Sequence, residues 1–282
     1  MVRICSDSTC DLSADLVEKY GITIIPLHIM LGDKEYRDRV EISQDEIFEW
    51  SDKNKTTPKT SAVSVTDAMA VMKELLEVHE EIILFTIASG MSTTYNVFNM
   101  VAEDLDATDR VHVIDSMNLS TGIGLMVIEA ACMAQEGLSG NEIVANIERI
   151  RPKVRSSFVI DTLTYLARGG RCSSVVALTG GVLKIHPKIV VKDGKMEVSK
   201  KYRGQIRNVV MDYVKDMHYM LLEANPTRVF ITHTSKDREL IEEVRSYLEG
   251  LGHFEEILET SAGAVISSHC GPGTLGVLFI EG

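Results

Sequence analysis

The sequence predicts an α/β protein of two domains with largely parallel or mixed sheets. Three observations predict it. Short runs rich in β-branched residues alternate with amphipathic helical stretches, the pattern of parallel or mixed sheets covered by helices. The length, 282 residues, exceeds one ordinary hydrophobic core and suits two. The pair Arg151-Pro152 breaks the pattern near the middle, dividing the chain into 1–151 and 152–282.

In order along the first part, Val2 to Ser6 reads as a strand. Asp7-Ser8-Thr9 follows, and Ser13 to Tyr20 reads as a helix stopped by Gly21. Ile22 to Met30 reads as a second strand. Ser43-Gln44-Asp45-Glu46 is a capping box opening a helix through Trp50. Ser64 opens another helix to about His79, and Ile82 to Ile87 is a buried strand. Ser92 caps a helix carrying Tyr95, Val97, Phe98 and Val101. Val111 to Ile114 is a strand, and Ser120 to Gln135 and Asn141 to Ile150 are helices.

In the second part Ser157 to Ile160 reads as a strand and Leu163 to Leu166 as a short helix. Ile189-Val190-Val191 turns at Asp193-Gly194 into Met196 to Val198, a hairpin signature. Gln205 to Ala224 reads as one long helix. Arg228 to Thr232 is a strand, Asp237 to Leu248 a helix, and Leu275 to Ile280 the closing strand.

Composition removes several function classes. A net charge of −12 mismatches the phosphate backbone, so no nucleic-acid partner is expected. Five widely spaced cysteines, with no C-x-x-C, argue against a disulfide framework or zinc ribbon and fit reduced thiols in the cytosol. No signal peptide opens the chain, and no apolar run reaches a membrane span, so no integral membrane association is expected. The histidines show no metal-ligand spacing. Thirteen methionines are mostly core material, some able to line an adaptable apolar pocket.

Ligands of open α/β sheets bind at the carboxyl ends of strands, which directs attention to the turns. In Pro58 to Ser64, Thr60 and Ser61 precede a helix N-terminus where an anion is welcome; equally, Ser64 caps and the other two are loop polar residues. In Ile87 to Tyr95, directly after a strand, Ser92 can cap a helix and also offer its hydroxyl to a carboxylate. In the Ser267–Gly273 turn, His269 can hydrogen-bond an anion, act as a base, or be structural. Arg168 and Arg171 flank Gly169-Gly170: a positive patch for a phosphate or acidic partner, or charges complementing a helix dipole with Gly169 as cap.

The ordered set of Asp7-Ser8-Thr9, Thr60-Ser61, Ile87 to Tyr95, Leu166 to Arg171, and His269 to Gly273 with Leu275-Gly276 resembles the DegV family over nearly the whole chain. The resemblance implies two α/β domains with a ligand tunnel at or near their junction. It implies a bound long-chain fatty acid, no further cofactor, and no turnover by the isolated chain. A separate ATP-dependent kinase subunit then phosphorylates the carboxylate, a step in phospholipid metabolism. Carried over, Ser92, Thr60 or Ser61, and His269 meet the carboxylate, and Arg168 and Arg171 contact the kinase or the phosphate. The chain departs from the family's usual Thr-Ser-Gln-Pro at Thr60-Ser61-Ala62-Val63. It departs again at Ala88 to Thr94, where Thr93 replaces a glycine. The alternative is a Ser92/His269 esterase acting on a lipid-like substrate, although no Gly-x-Ser-x-Gly elbow surrounds Ser92.

Overall fold

The structure, a computed structural model, describes residues 2–178 and 185–282; Met1 lies outside them. In chain order the first elements are β1 (Val2–Asp7), α1 (Ala14–Lys19), β2 (Thr23–Ile25), β3 (His28–Leu31), β4 (Lys34–Arg37), α2 (Gln44–Asn54) and β5 (Lys59–Ser61). Then come α3 (Val65–Val78), β6 (Glu81–Thr86), α4 (Thr94–Asp104), β7 (Val111–Asp115), α5 (Thr121–Gln135) and α6 (Gly140–Ile150). The second half holds β8 (Val154–Val159), α7 (Thr164–Gly169), α8 (Ser173–Val176), β9 (Ile185–Lys192), β10 (Lys195–Arg203), α9 (Ile206–Asp216) and α10 (His218–Leu222). It closes with β11 (Ala224–His233), α11 (Arg238–Gly250), β12 (Glu256–Ser261), α12 (Ala264–Cys270) and β13 (Leu275–Glu281).

Three sheets result, and the α/β class with parallel and mixed sheets is as expected. A parallel sheet runs β2-β1-β6-β7. Its central strand β6 is apolar throughout Ile82–Phe85 and fully buried, as parallel strands covered on both faces must be. A mixed sheet runs β10-β9-β8-β13-β11-β12, antiparallel except for the pair β11 and β12. A small antiparallel sheet runs β4-β3-β5. Helix α5 lies between the two large sheets, against β1 on one side and β8 and β13 on the other. Ile123 and Leu125 to Ile128 are fully buried there, which suits a helix apolar around its whole circumference.

Four readings are corrected. Ile22 to Met30 is two strands in different sheets; Pro26, with fixed φ and no N–H, separates β2 from β3. Gln205 to Ala224 is not one helix: the chain leaves helical geometry at Met217 (φ −93°, ψ 5°), and Ala224 already opens β11. Thr60 and Ser61 sit in the edge strand β5 rather than in a loop, paired with Ile29 and His28. Ser267 to Cys270 belong to the last turns of α12, so only Gly271 to Gly273 are turn. Short elements such as β4, β5, β12 and α12 leave too few residues for a period to show. The hairpin is as read: Asp193 and Gly194 both have positive φ (49° and 70°), the requirement of a type I′ turn.

Candidate functional site

Strand β6 ends at Thr86 in the middle of the parallel sheet, and the chain then turns through Ile87 to Thr93 into α4. The turn is tied down from within: the Met91 and Ser92 N–H groups donate to the Ala88 carbonyl, and the Ser89 N–H to Asp115 Oδ1. Thr93, not Ser92, occupies the N-cap position of α4, and its side chain makes no cap bond. Ser92 acts one residue earlier. Its Oγ accepts from the Thr94 N–H at 3.3 Å and lies 2.9 Å from Thr94 Oγ1. The first turn of α4 therefore retains unpaired N–H character beside a hydroxyl, a setting that favours an anion.

Thr60 reaches the same place from β5 and His269 from α12. Thr60 Oγ1 and His269 Nε2 are 2.8 Å apart. Burial, then the Arg171 guanidinium, lower the imidazole to a pKa of about 4, so the ring is neutral near pH 7. Nδ1 is buried with no hydrogen-bond partner among the described residues. It packs on Gly169, where any Cβ would lie 2.3 Å away; this close approach requires glycine. A buried acceptor without a partner is tolerated better than a buried N–H without one. The favoured tautomer thus carries its proton on Nε2 and donates to Thr60, leaving the threonine hydroxyl hydrogen free for an anion.

These groups line one cavity of about 450 Å³, within the usual range for ligand sites. Thr60, Ser61, Ser89, Ser92, Thr93, Arg171 and His269 supply its polar wall; Leu27, Ile87, Met91, Leu119, Met196, Val265 and Ile266 supply apolar surface. Leu119, Ile266 and Cys270 also border a second, much smaller space of about 20 Å³, mainly apolar, which Phe158 and Leu278 help to line. Arg171 is exposed at the cavity rim; its Nη1 donates to the Gly169 carbonyl at 2.7 Å. It also lines an outer cleft with Ser173, Ser174 and Lys195. Arg168 is exposed on α7 and borders neither space. The left-handed cap between the two arginines is Gly170 (φ 70°), not Gly169, which ends α7.

Of the six residues singled out in the sequence, five meet at the cavity and Arg168 stands apart. Sequence reasoning missed the apolar contributors Leu27, Leu119, Met196, Val265 and Ile266, whose types carry no signal beyond core. It also missed what holds α12. Asp38 Oδ1 accepts from the Ala264 and Val265 N–H groups at 2.8 and 3.3 Å, and Asp11 Oδ1 from the Gly263 N–H at 2.7 Å. Asp7, Asp11 and Asp38 are all buried, and burial pushes Asp7 up to about 6 and Asp11 up to about 7. Among the described residues no cluster of His, Cys, Asp and Glu could hold a metal ion, and no helix is long and apolar enough to cross a membrane.

The DegV family model, described as "Uncharacterised protein, DegV family", matches residues 1–282. A DegV domain-containing protein of Caldanaerobacter subterraneus subsp. tengcongensis is 34% identical over 282 residues, covering 99% of each chain. Among solved structures, a DegV family protein from Thermus thermophilus described for its fatty acid binding is 30% identical, with a TM-score of 0.89 over 99% of both chains. A stearic acid-binding protein from Eubacterium ventriosum is 29% identical, with a TM-score of 0.86 over 100% of this chain and 98% of that one. A full-length family match, a relative above 30% identity and two close structural neighbours converge: the chain belongs to the DegV family.

Proposed function

We propose that the protein binds one long-chain fatty acid and presents its carboxylate to a separate ATP-dependent kinase subunit. The supporting observation is the shared cavity: Thr60, Ser92 and His269 line it beside apolar residues, and an apolar space adjoins it. The similar proteins from Thermus thermophilus and Eubacterium ventriosum are described as binding a fatty acid and stearic acid. Burying each methylene is worth about 0.8 kcal/mol, so a long acyl chain gains on the order of 10 kcal/mol before association costs. The tail supplies affinity and the hydroxyls supply orientation. With His269 neutral, the head group meets neutral donors instead of an imidazolium. A carboxylate held in this way keeps the charge density needed to attack a phosphorus centre. Arg171, at the rim, is placed to meet the incoming phosphate, and Arg168, outside it, to meet the partner's surface.

The domain reading, 1–151 and 152–282, is proposed on the same footing. In its support, β1 to β7 pair only with one another, and so do β8 to β13. The esterase alternative finds no support in the geometry. His269 Nε2 engages Thr60 rather than Ser92, and among the described residues no carboxylate orients Nδ1.

Native mass spectrometry of the purified protein tests the ligand: a co-purifying fatty acid is expected, and a ligand-free or sugar-loaded protein would overturn the reading. Ser92→Ala should weaken fatty-acid affinity about tenfold, a lost charge-assisted hydrogen bond. It should cost about 1 kcal/mol of stability through the lost bond to Thr94. Incubation with ATP, magnesium and fatty acid should give no acyl phosphate until a kinase subunit is added. In that coupled assay Arg171→Ala should slow phosphorylation while leaving lipid affinity intact.

A further inference from the structure

We infer that Asp38 is a positioning residue for His269: its carboxylate holds the first turn of α12 so that the imidazole in the last turn stays against Thr60. The N-cap of α12 is Gly263, which has no side chain with which to cap. The cap is borrowed from a segment more than two hundred residues earlier. Asp38 Oδ1 takes two first-turn N–H groups, while its Oδ2 accepts from Ser8 Oγ at 2.7 Å. Ser8 Oγ is itself fixed by the Leu27 N–H at 3.1 Å. The Asp38 carboxylate accepts from Ser8 Oγ and from the Ala264 and Val265 N–H groups and is only 1% exposed; burial raises its pKa, and these three donors with the nearby Arg39 work against that rise. A negative charge at a helix N-terminus is favourable, and a regular helix passes that constraint along its axis. From Ala264 to His269 is about 7.5 Å of rise at 1.5 Å per residue. At the far end the ring bonds Thr60 and rests on Gly169, a position with no room for drift. Charged and titratable groups around this strut include Asp11, Asp7 and Arg39 at its start, and Arg171 beside the ring with Cys270 and Cys172 at its end.

The role of Asp38 is separable from that of general packing because the ring can be watched directly. In the full chain, the His269 ring proton resonances, assigned by their disappearance in His269→Ala, should titrate near 4 in the wild type. In Asp38→Ala the first turn loses both bonds to Ala264 and Val265 and keeps only that of Asp11 to Gly263, and the ring should titrate back toward about 6.5, the value of a solvated imidazole. Asp38→Asn keeps an acceptor facing the Ala264 N–H and should restore the wild-type titration. Should Asp38→Ala fail to fold, Asp38→Ser, whose hydroxyl falls short of the helix, carries the same expectation. A folded Asp38→Ala or Asp38→Ser protein whose His269 titrates as in the wild type overturns the inference.

The consequence for ligand rests on the fatty-acid reading above. The preference for a fatty acid over the fatty alcohol of equal length should fall about tenfold in both Asp38→Ala and His269→Ala. A freed ring with that preference unchanged in both variants would leave Asp38 as positioning residue and remove the carboxylate from His269. A preference lost in His269→Ala but kept in Asp38→Ala would overturn the positioning role alone.

Discussion

His269 sits at the meeting point of burial, hydrogen bonding and sequence economy, and its ionisation has a measurable signature. Its pKa in the fold, about 4, lies below the unfolded value of about 6.5. Between those values the unfolded chain binds more protons than the native one. The contribution of the neutral ring is therefore complete above pH 6.5 and is lost as pH falls toward 4, on the order of 3 kcal/mol in all. Asp7 and Asp11, raised to about 6 and about 7 by burial, act with the opposite sign. Their contribution is present at low pH and is lost as pH rises through those values. His269→Gln keeps an N–H for Thr60 but does not titrate, and it shares both aspartates with the wild type. The difference in urea-unfolding free energy between the two proteins should therefore change steadily from pH 6.5 to 4 against the wild type. A flat difference would show that the ring is solvated. Thr60, Ser61, Ser92, His269 and Arg171 could be singled out in the sequence because polar groups near Gly, Pro and Ser break the apolar pattern, although Thr60 and Ser61 lie in β5 and His269 in α12. Asp38 could not, since nothing local distinguishes a carboxylate that caps a distant helix from one that faces water.

Elements long enough to show a period, such as α3 and α11, were legible for the same reason that they are stable, one face repeating, and β6 was legible as an unbroken apolar run. The misread ones are short or interrupted. Pro26 splits a continuous apolar run whose two halves pair in different sheets, and α12 spans only seven residues, Ala264–Cys270. The β9–β10 hairpin was legible because its turn chemistry is obligatory. Its destination was not: the tip crosses to the turn after β6. A Cβ on Gly90 would sit 3.0 Å from the Gly194 carbonyl oxygen, and one on Gly194 would sit 3.3 Å from the Met117 thioether. Lys195 and Met196, next along, line the outer cleft and Met196 the cavity as well. Gly194→Ala combines a left-handed β-carbon with that contact and should cost about 1–3 kcal/mol. Thermal unfolding reads this directly, and an unchanged melting temperature would mean that the tip is not seated on the turn.

On the scale of the molecule, one apolar cluster runs from Ile4 and Phe85 through α5 to Phe158, Phe230 and Leu278, joining both halves of the chain. Halves so joined should unfold together. The single tryptophan, Trp50 on α2, reports on the first half, whereas far-ultraviolet circular dichroism reports on all of it. Their urea midpoints should coincide, and two separated midpoints would mean that the shared core does not couple the halves. The arrangement of the mixed sheet adds a condition of timing. Strand β13, which follows all its sheet partners in the chain, lies between β8 and β11 in the middle of that sheet. Until it is released from the ribosome, β8 and β11 both present open edges, the surfaces through which nascent chains pair wrongly. Helix α12, with His269, immediately precedes it. The cavity, which takes Val265, Ile266 and His269 from that helix, therefore waits for α12, and a ribosome stalled between β12 and β13 leaves an aggregation-prone chain with the cavity unformed.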